Sequence, residues 1–168
     1  MVSPQNPLKP ERGMAPFATR VQSARAIAKH PRIMVTRIEQ WLRTRYTADT
    51  LRALKRRIPR AAFVWLMGAD NMVQIPHWDE WAQIFKAVPI AVFSRATYSL
   101  RARLGKAAQR FSRARLREGN AKSIATKRPP AWVFLDGRVH PASATSIRAA
   151  LMKRKSGSAK GMRTERRN

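Results

Sequence analysis

Short apolar runs and amphipathic stretches alternate along the chain from one end to the other. The apolar runs at 63–67 and 89–93 have no polar interruption, which is typical of strands buried on both faces of a sheet. A β-branched run at 33–38 and an apolar run at 132–135 predict two further strands, and residues 1–4 have the pattern of a strand end. The alternation with helical patterns predicts an α/β fold with a parallel sheet and crossover helices.

Helical patterns fill the intervals between these runs. Pro16 predicts the start of a helix with one apolar face, formed by Phe17, Val21, Ala24, Ile27 and Ala28. Thr47 is predicted to cap a second helix, with Asp49 in its first turn. Further helices are expected at 77–87, 99–117 and 143–151.

The remaining stretches are polar. Residues 118–130 are predicted to form a linker. One α/β domain is expected over 1–151, followed by a basic, disordered tail at 152–168 with almost no apolar residues.

Composition limits the classes of protein and site. The chain has no cysteine, which excludes disulfides, thiolate metal sites and cysteine nucleophiles. Its apolar runs are too short for a membrane span, and we expect a soluble, cytoplasmic protein with no membrane partner. The formal charge of +26 favours attraction to polyanions. Much of this charge lies in 101–117 and 153–167, so a solvated basic surface explains it as well as a nucleic-acid site does.

The candidate ligand-binding residues follow the predicted strands, because open α/β sheets bind ligands at the carboxyl ends of their strands. Four segments stand out: Ser3-Pro4-Gln5-Asn6-Pro7-Leu8-Lys9, Thr44-Arg45-Tyr46-Thr47-Ala48-Asp49-Thr50-Leu51, Gly68-Ala69-Asp70-Asn71 with Trp78 downstream, and Ser143-Ala144-Thr145-Ser146-Ile147-Arg148. The last segment predicts a helix start, whose free N–H groups attract phosphate. Structural alternatives remain open: an ordinary N-capped helix with an outward arginine at the last segment, a helix cap at Asp70, and a core position for Trp78 like that of Trp81.

In this order and at these spacings, the four segments resemble the bacterial nicotinate mononucleotide adenylyltransferase family over roughly residues 2–150. The resemblance implies a Rossmann-like, doubly wound parallel sheet of the nucleotidyltransferase type. It also implies an enzyme of NAD synthesis that transfers an adenylyl group from ATP, with Mg²⁺, to nicotinate mononucleotide, giving deamido-NAD and pyrophosphate.

The resemblance also implies roles for residues. Those expected at the mononucleotide are Thr47, Asp70, Trp78, Tyr46 and Asn6, with Lys9 in the same loop as Asn6. Those expected at the ATP phosphates are Ser143, Thr145, Ser146 and Arg148. No catalytic side chain and no protein metal site is identified, because His30, His77 and His140 have no metal-like spacing.

One family element is absent from these 168 residues. The family carries an N-terminal strand and a Gly-x-Phe-x-Pro-x-His-x-Gly-His loop, whose histidines contact the ATP phosphates. Its absence here suggests a truncated or misassigned start and an inactive chain. Because this strand is central in the doubly wound order, residues 2–3 and 63–67 are expected to stand apart or pair abnormally, exposing apolar edges.

Two rival interpretations remain open. A basic nucleic-acid-binding protein would use 101–117 and the tail to follow phosphates, which explains the charge but not the four segments. A noncatalytic homologue that binds a nucleotide would use Trp78 and Asp70 while making Arg148 dispensable.

Overall fold

A four-stranded parallel sheet lies at the centre of the computed structural model, which describes residues 1–4 and 14–137. Its strands are β1 (Trp65–Gly68), β2 (Ile90–Phe93), β3 (Arg115–Leu116) and β4 (Trp132–Leu135). They lie in the order β1-β2-β4-β3, and every pair is parallel. The predicted α/β class and parallel sheet are therefore confirmed.

Short helices connect and flank these strands. The α-helices in the described residues are α1 (Phe17–Ile27), α2 (Ile38–Leu42), α3 (Thr47–Arg57), α4 (Ala69–Gln74), α5 (Trp81–Ala87), α6 (Ser99–Leu104) and α7 (Lys106–Arg110). The 3-10 helices are Ile75–His77, Ser112–Ala114 and Glu118–Thr126. No helix in this part of the chain is long and apolar enough to cross a membrane.

The core occupies both faces of the sheet, because successive side chains of a strand point to opposite faces. Ile90 and Val92 of β2 belong to the larger apolar cluster, with α3 to α7. Ala91, between them, belongs to a smaller cluster with Ile124 of the last 3-10 helix. This arrangement fits the expected doubly wound sheet.

The strand predicted at 63–67 was expected to be buried on both faces, and this is wrong. β1 begins at Trp65 and is the edge strand of the described sheet, and its Leu66 is 62% exposed. Residues 2–3 form no strand, and the Val2 N–H donates instead to the Thr36 carbonyl at 2.9 Å. The expectation that these two segments stand apart and expose an apolar edge is confirmed.

Three other predicted elements differ from the structure. Residues 33–38 form no strand, because a β-branched run needs a pairing partner, and Ile38 instead begins α2. The helix predicted at 99–117 breaks at Gly105, where the backbone is extended, and ends before β3. The predicted linker at 118–130 contains a 3-10 helix, and its Ile124 is buried against the sheet.

Helix boundaries also required correction. Val21 of α1 is buried, but Ile27 is 83% exposed, so the predicted apolar face of this helix is only partly used. Thr47 does not cap α3, since it is the first helical residue and Tyr46 occupies the cap position without a side-chain hydrogen bond. The helix expected from His77 begins at Trp81. The helix and tail predicted at 143–168 lie outside the described residues.

Candidate active site

A cavity of about 600 Å³ lies beside β1, and we refer to it as the β1 cavity. Its lining comes from several elements: Met1, Ser3, Glu39, Tyr46, Thr47, Trp65, Asn71, Pro76, His77, Trp78, Asp79 and Glu80. Three of the predicted mononucleotide residues, Tyr46, Thr47 and Trp78, are among them. Apolar and polar side chains are mixed in this lining, as in sites for small molecules.

The start of α3 fixes Tyr46 and Thr47 at the cavity wall. Tyr46 is extended, and its carbonyl accepts hydrogen bonds from the backbone N–H and the hydroxyl of Thr50, both at 3.0 Å. Thr50 is fully buried, and its hydroxyl lies 2.7 Å from that of Thr44. Thr50 therefore anchors the turn, while Thr47 lines the cavity.

The two tryptophans after β1 have different surroundings. Trp78 follows the 3-10 turn Ile75–His77, lines the β1 cavity and packs on one side against the main core. Trp81 contacts the rings of Phe85 and Phe111 edge to face, with centroid distances of 6.2 and 5.9 Å. This geometry matches a cavity role for Trp78 and a packing role for Trp81.

Glu39 contributes a buried carboxylate to the cavity, where it is only 3% exposed. Burial raises the pKa of Glu39, while the hydrogen bond from the Ser3 hydroxyl and the charge of the N-terminal amino group act in the opposite direction. Arg20 holds the same wall, because its guanidinium donates to the Ser3 carbonyl at 2.7 Å and to the Pro4 carbonyl. Glu39 and Arg20 together fix the short segment that closes this side of the cavity.

Asp70 lies just after β1, next to the lining rather than in it. Its Oδ1 is 3.2 Å from Nε of Arg95, which follows β2, the neighbouring parallel strand. The angle does not satisfy a hydrogen bond, so the contact is an ion pair. A Cβ at Gly68 would lie 2.4 Å from that oxygen and 2.8 Å from the Arg95 nitrogen. Because Gly68 has no side chain, it leaves room for the Asp70–Arg95 ion pair at the end of β1.

The remaining predicted residues are distributed as follows. The described residues do not include Asn6, Lys9, His140, Ser143, Thr145, Ser146 or Arg148. His30 is exposed, and His77 lines the cavity. Among the described residues, no group of three or more His, Cys, Asp or Glu side chains is arranged to hold a metal ion.

Sequence reasoning missed two residues of this region. Arg95 could have been found, because it comes just after the strand predicted at 89–93. No feature of the sequence marks Glu39, because a glutamate is normally solvated. Its burial depends on the distant Ser3 segment, whose hydroxyl donates a hydrogen bond to the Glu39 carboxylate.

Comparison with known proteins identifies the class to which this sheet and cavity belong. The cytidylyltransferase-like family matches residues 1–150, and the chain belongs to that family. The chain is 51% identical to the probable nicotinate-nucleotide adenylyltransferase of Parvibaculum lavamentivorans, over 88% of this chain and 74% of the relative. Proteins with the same name are 48% identical in Cereibacter sphaeroides (89% of this chain, 78% of the relative) and 45% identical in Methylorubrum extorquens (88% and 80%).

A solved structure is similar at a lower level. It is the Plasmodium falciparum nicotinic acid mononucleotide adenylyltransferase complexed with APC, at 18% identity and a TM-score of 0.43. The similarity covers 77% of this chain and 52% of that one, so the chain spans about half the length of the solved protein. The sequence relatives confirm the family resemblance inferred from the four segments, and with it membership in a family of nucleotidyltransferases.

Proposed function

We propose that the protein transfers the adenylyl group of ATP to nicotinate mononucleotide, forming deamido-NAD and pyrophosphate. The observation that carries this proposal is the β1 cavity, in which Tyr46, Thr47 and Trp78 line one space beside the strand end that carries Asp70. The names of the relatives that share 45 to 51% of its residues support the same reaction.

The reaction exchanges one phosphorus–oxygen bond for another. An oxygen of the 5′-phosphate of nicotinate mononucleotide attacks the α-phosphorus of ATP, and the bond from that phosphorus to the oxygen bridging to the β-phosphate breaks. Pyrophosphate leaves with the electron pair of that bond. No side-chain nucleophile is needed, so alignment and charge stabilisation account for the catalysis.

The cavity residues have roles that suit the acceptor. The Trp78 indole offers a flat face on which the pyridine ring stacks. Thr50 fixes the main chain at Tyr46, and Thr47 adds a hydroxyl group next to it. The main chain and the hydroxyl group form hydrogen bonds with polar groups of the ligand. Asp70, held beside Arg95, accepts hydrogen bonds from the ligand at the carboxyl end of β1.

The nucleotide side of the proposal rests on residues outside the described part of the chain. Ser143, Thr145, Ser146 and Arg148 are proposed to hold the triphosphate through hydroxyl groups, helix N–H groups and one positive charge. Mg²⁺ is proposed to enter with ATP and to neutralise charge on the departing pyrophosphate. Asn6 remains a proposed contact of the mononucleotide.

Pyrophosphate release tests this function. We would supply ATP, Mg²⁺ and nicotinate mononucleotide to the 168-residue chain and to a version that carries the family's histidine-containing strand and loop ahead of Met1. Release by the extended version, lost on Trp78→Ala, supports the proposal. Mononucleotide binding without release in either version would instead favour a noncatalytic binding protein.

A further inference from the structure

A second concave surface shares Tyr46 with the β1 cavity. It is a groove of about 470 Å³ between the end of α2 and α3. Its charged lining consists of Arg43, Arg45, Arg52, Arg56, Arg57 and Asp49. We call it the arginine groove. Neither the family resemblance nor the proposed reaction gives its five arginines a role.

Most of the positive charge in this groove is uncompensated. Asp49 pairs with Arg52 at 2.8 Å, and the other end of the same guanidinium pairs with Glu80 at 2.5 Å. Within the described residues, no carboxylate lies within ion-pair distance of the other four arginines of the groove. The groove therefore presents four guanidinium groups to an anionic ligand, and guanidinium is the side chain best suited to phosphate.

Tyr46 lines the groove, while Trp41 lies outside the lining and contacts one of its members, Arg57. The guanidinium of Arg57 lies 4.5 Å from the centre of the Trp41 ring, and that of Arg45 lies 5.8 Å from the centre of the Tyr46 ring. Trp41 is 66% exposed, although a tryptophan is usually buried for most of its surface. Cation–π contact holds Arg57 against this ring while leaving much of the indole open to a ligand.

Arg43 ends α2 as its C-terminal cap and has φ = 54°, the left-handed conformation in which many helices end. This turn brings the Arg43 side chain into the groove lining, next to that of Arg45.

We propose that the arginine groove binds single-stranded nucleic acid. Guanidinium groups in a groove contact successive phosphates, and the exposed indole of Trp41 stacks on an unpaired base. A duplex has its bases stacked internally and offers the indole no ring face, so the combination favours a single strand. An acidic peptide would engage the arginines but would have no use for the exposed indole.

Fluorescence anisotropy of a labelled oligouridylate tests the proposal with the full chain at several salt concentrations. The groove variant Arg43→Gln/Arg45→Gln/Arg56→Gln removes three unpaired charges. Its matched control, Arg101→Gln/Lys106→Gln/Arg113→Gln, removes three exposed charges from the basic segment at 101–117. Thermal melting of each variant verifies that it is folded.

If the groove is the binding site, only the groove variant changes the salt dependence of binding. Each phosphate contact contributes about 0.7 to the slope of log affinity against log salt for a single strand, so the groove variant loses about 2 from that slope. The control keeps the slope of the parent. An equal loss in the two variants would overturn the proposal, because binding would then follow bulk charge alone.

The Trp41 ring provides a second test, in which the number of charges on the protein stays the same. Trp41→Ala weakens oligouridylate binding by about fivefold or more, while Trp41→Phe retains most of it, because stacking on an aromatic ring contributes about 1 to 3 kcal/mol per base, or roughly five- to 150-fold. Two outcomes would overturn the single-strand proposal. One is equal binding of a duplex of the same length, and the other is full competition by tripolyphosphate at the same concentration of phosphate charge.

Discussion

Replacing Trp78 and Trp81 one at a time separates binding from packing. The two residues are three apart in the chain, but only Trp78 lines the β1 cavity. Trp81 packs edge to face on both Phe85 and Phe111, which stack on each other with a centroid distance of 4.2 Å. Trp78→Ala is therefore expected to weaken ligand binding, and Trp81→Ala to destabilise the fold.

The structure sets the size of each effect. A buried tryptophan replaced by alanine costs about 3 to 5 kcal/mol, and Trp81 belongs at the lower end because it is only partly buried. A loss of that size is a large share of the roughly 5 to 15 kcal/mol that stabilises a typical domain. Loss of one stacking contact costs about 1 to 3 kcal/mol of binding, which raises the Kd by roughly five- to 150-fold.

Two measurements on the parent and on three variants, Trp78→Ala, Trp81→Ala and Trp78→Phe, test this reasoning. Isothermal titration with nicotinate mononucleotide gives the Kd, and urea denaturation gives the free energy of unfolding. Trp78→Phe serves as the control, because it keeps an aromatic face and is expected to bind within a few-fold of the parent. The reasoning fails if Trp81→Ala raises the Kd more than Trp78→Ala does while remaining folded.

Three further predictions concern the site and the core. Because burial raises the pKa of Glu39, its contribution to stability is complete below the ordinary value of 4.5 and is lost as the pH rises through the higher folded value. Glu39→Gln should therefore remove this decline in urea denaturation, and an unchanged pH profile would contradict the cause assigned. Gly68→Ala should displace the Asp70–Arg95 ion pair and weaken mononucleotide binding with little loss of stability, as titration and melting would show. Trp132→Phe should cost about 1 to 3 kcal/mol of unfolding free energy, because it removes the 2.8 Å hydrogen bond from the indole N–H to the Phe111 carbonyl and leaves a void at a fully buried side chain, while the Ala114 N–H remains bonded to that carbonyl. A melting temperature equal to that of the parent would refute this last prediction.

Much of the fold followed from apolar runs, because burial on both faces of a sheet leaves a distinctive pattern. The runs at 89–93 and 132–135 form β2 and β4, where both faces are covered. The run at 33–38 has the same β-branched character but no strand to pair with, and pairing is not encoded in the run itself. The edge position of β1 does not follow from its own residues either, and it was expected only because the strand that precedes it in the family is absent from these residues.

Part of the candidate site could be predicted from segments that follow strand ends and resemble the family. Tyr46, Thr47 and Trp78 belong to these segments and meet in the β1 cavity. Glu39 was not found, because its burial depends on contacts with residues far away in the chain. The exposure of Trp41 escaped notice for the same reason, since exposure depends on the arrangement of whole elements.

Mass spectrometry of the reaction product tests the central claim most directly. The extended version would be incubated with Mg²⁺, either ATP or CTP, and a panel of phosphorylated acceptors that includes nicotinate mononucleotide and nicotinamide mononucleotide. The account predicts deamido-NAD from ATP and nicotinate mononucleotide as the main product. A main product that carries a cytidylyl group, or an adenylyl group on a different acceptor, would contradict it.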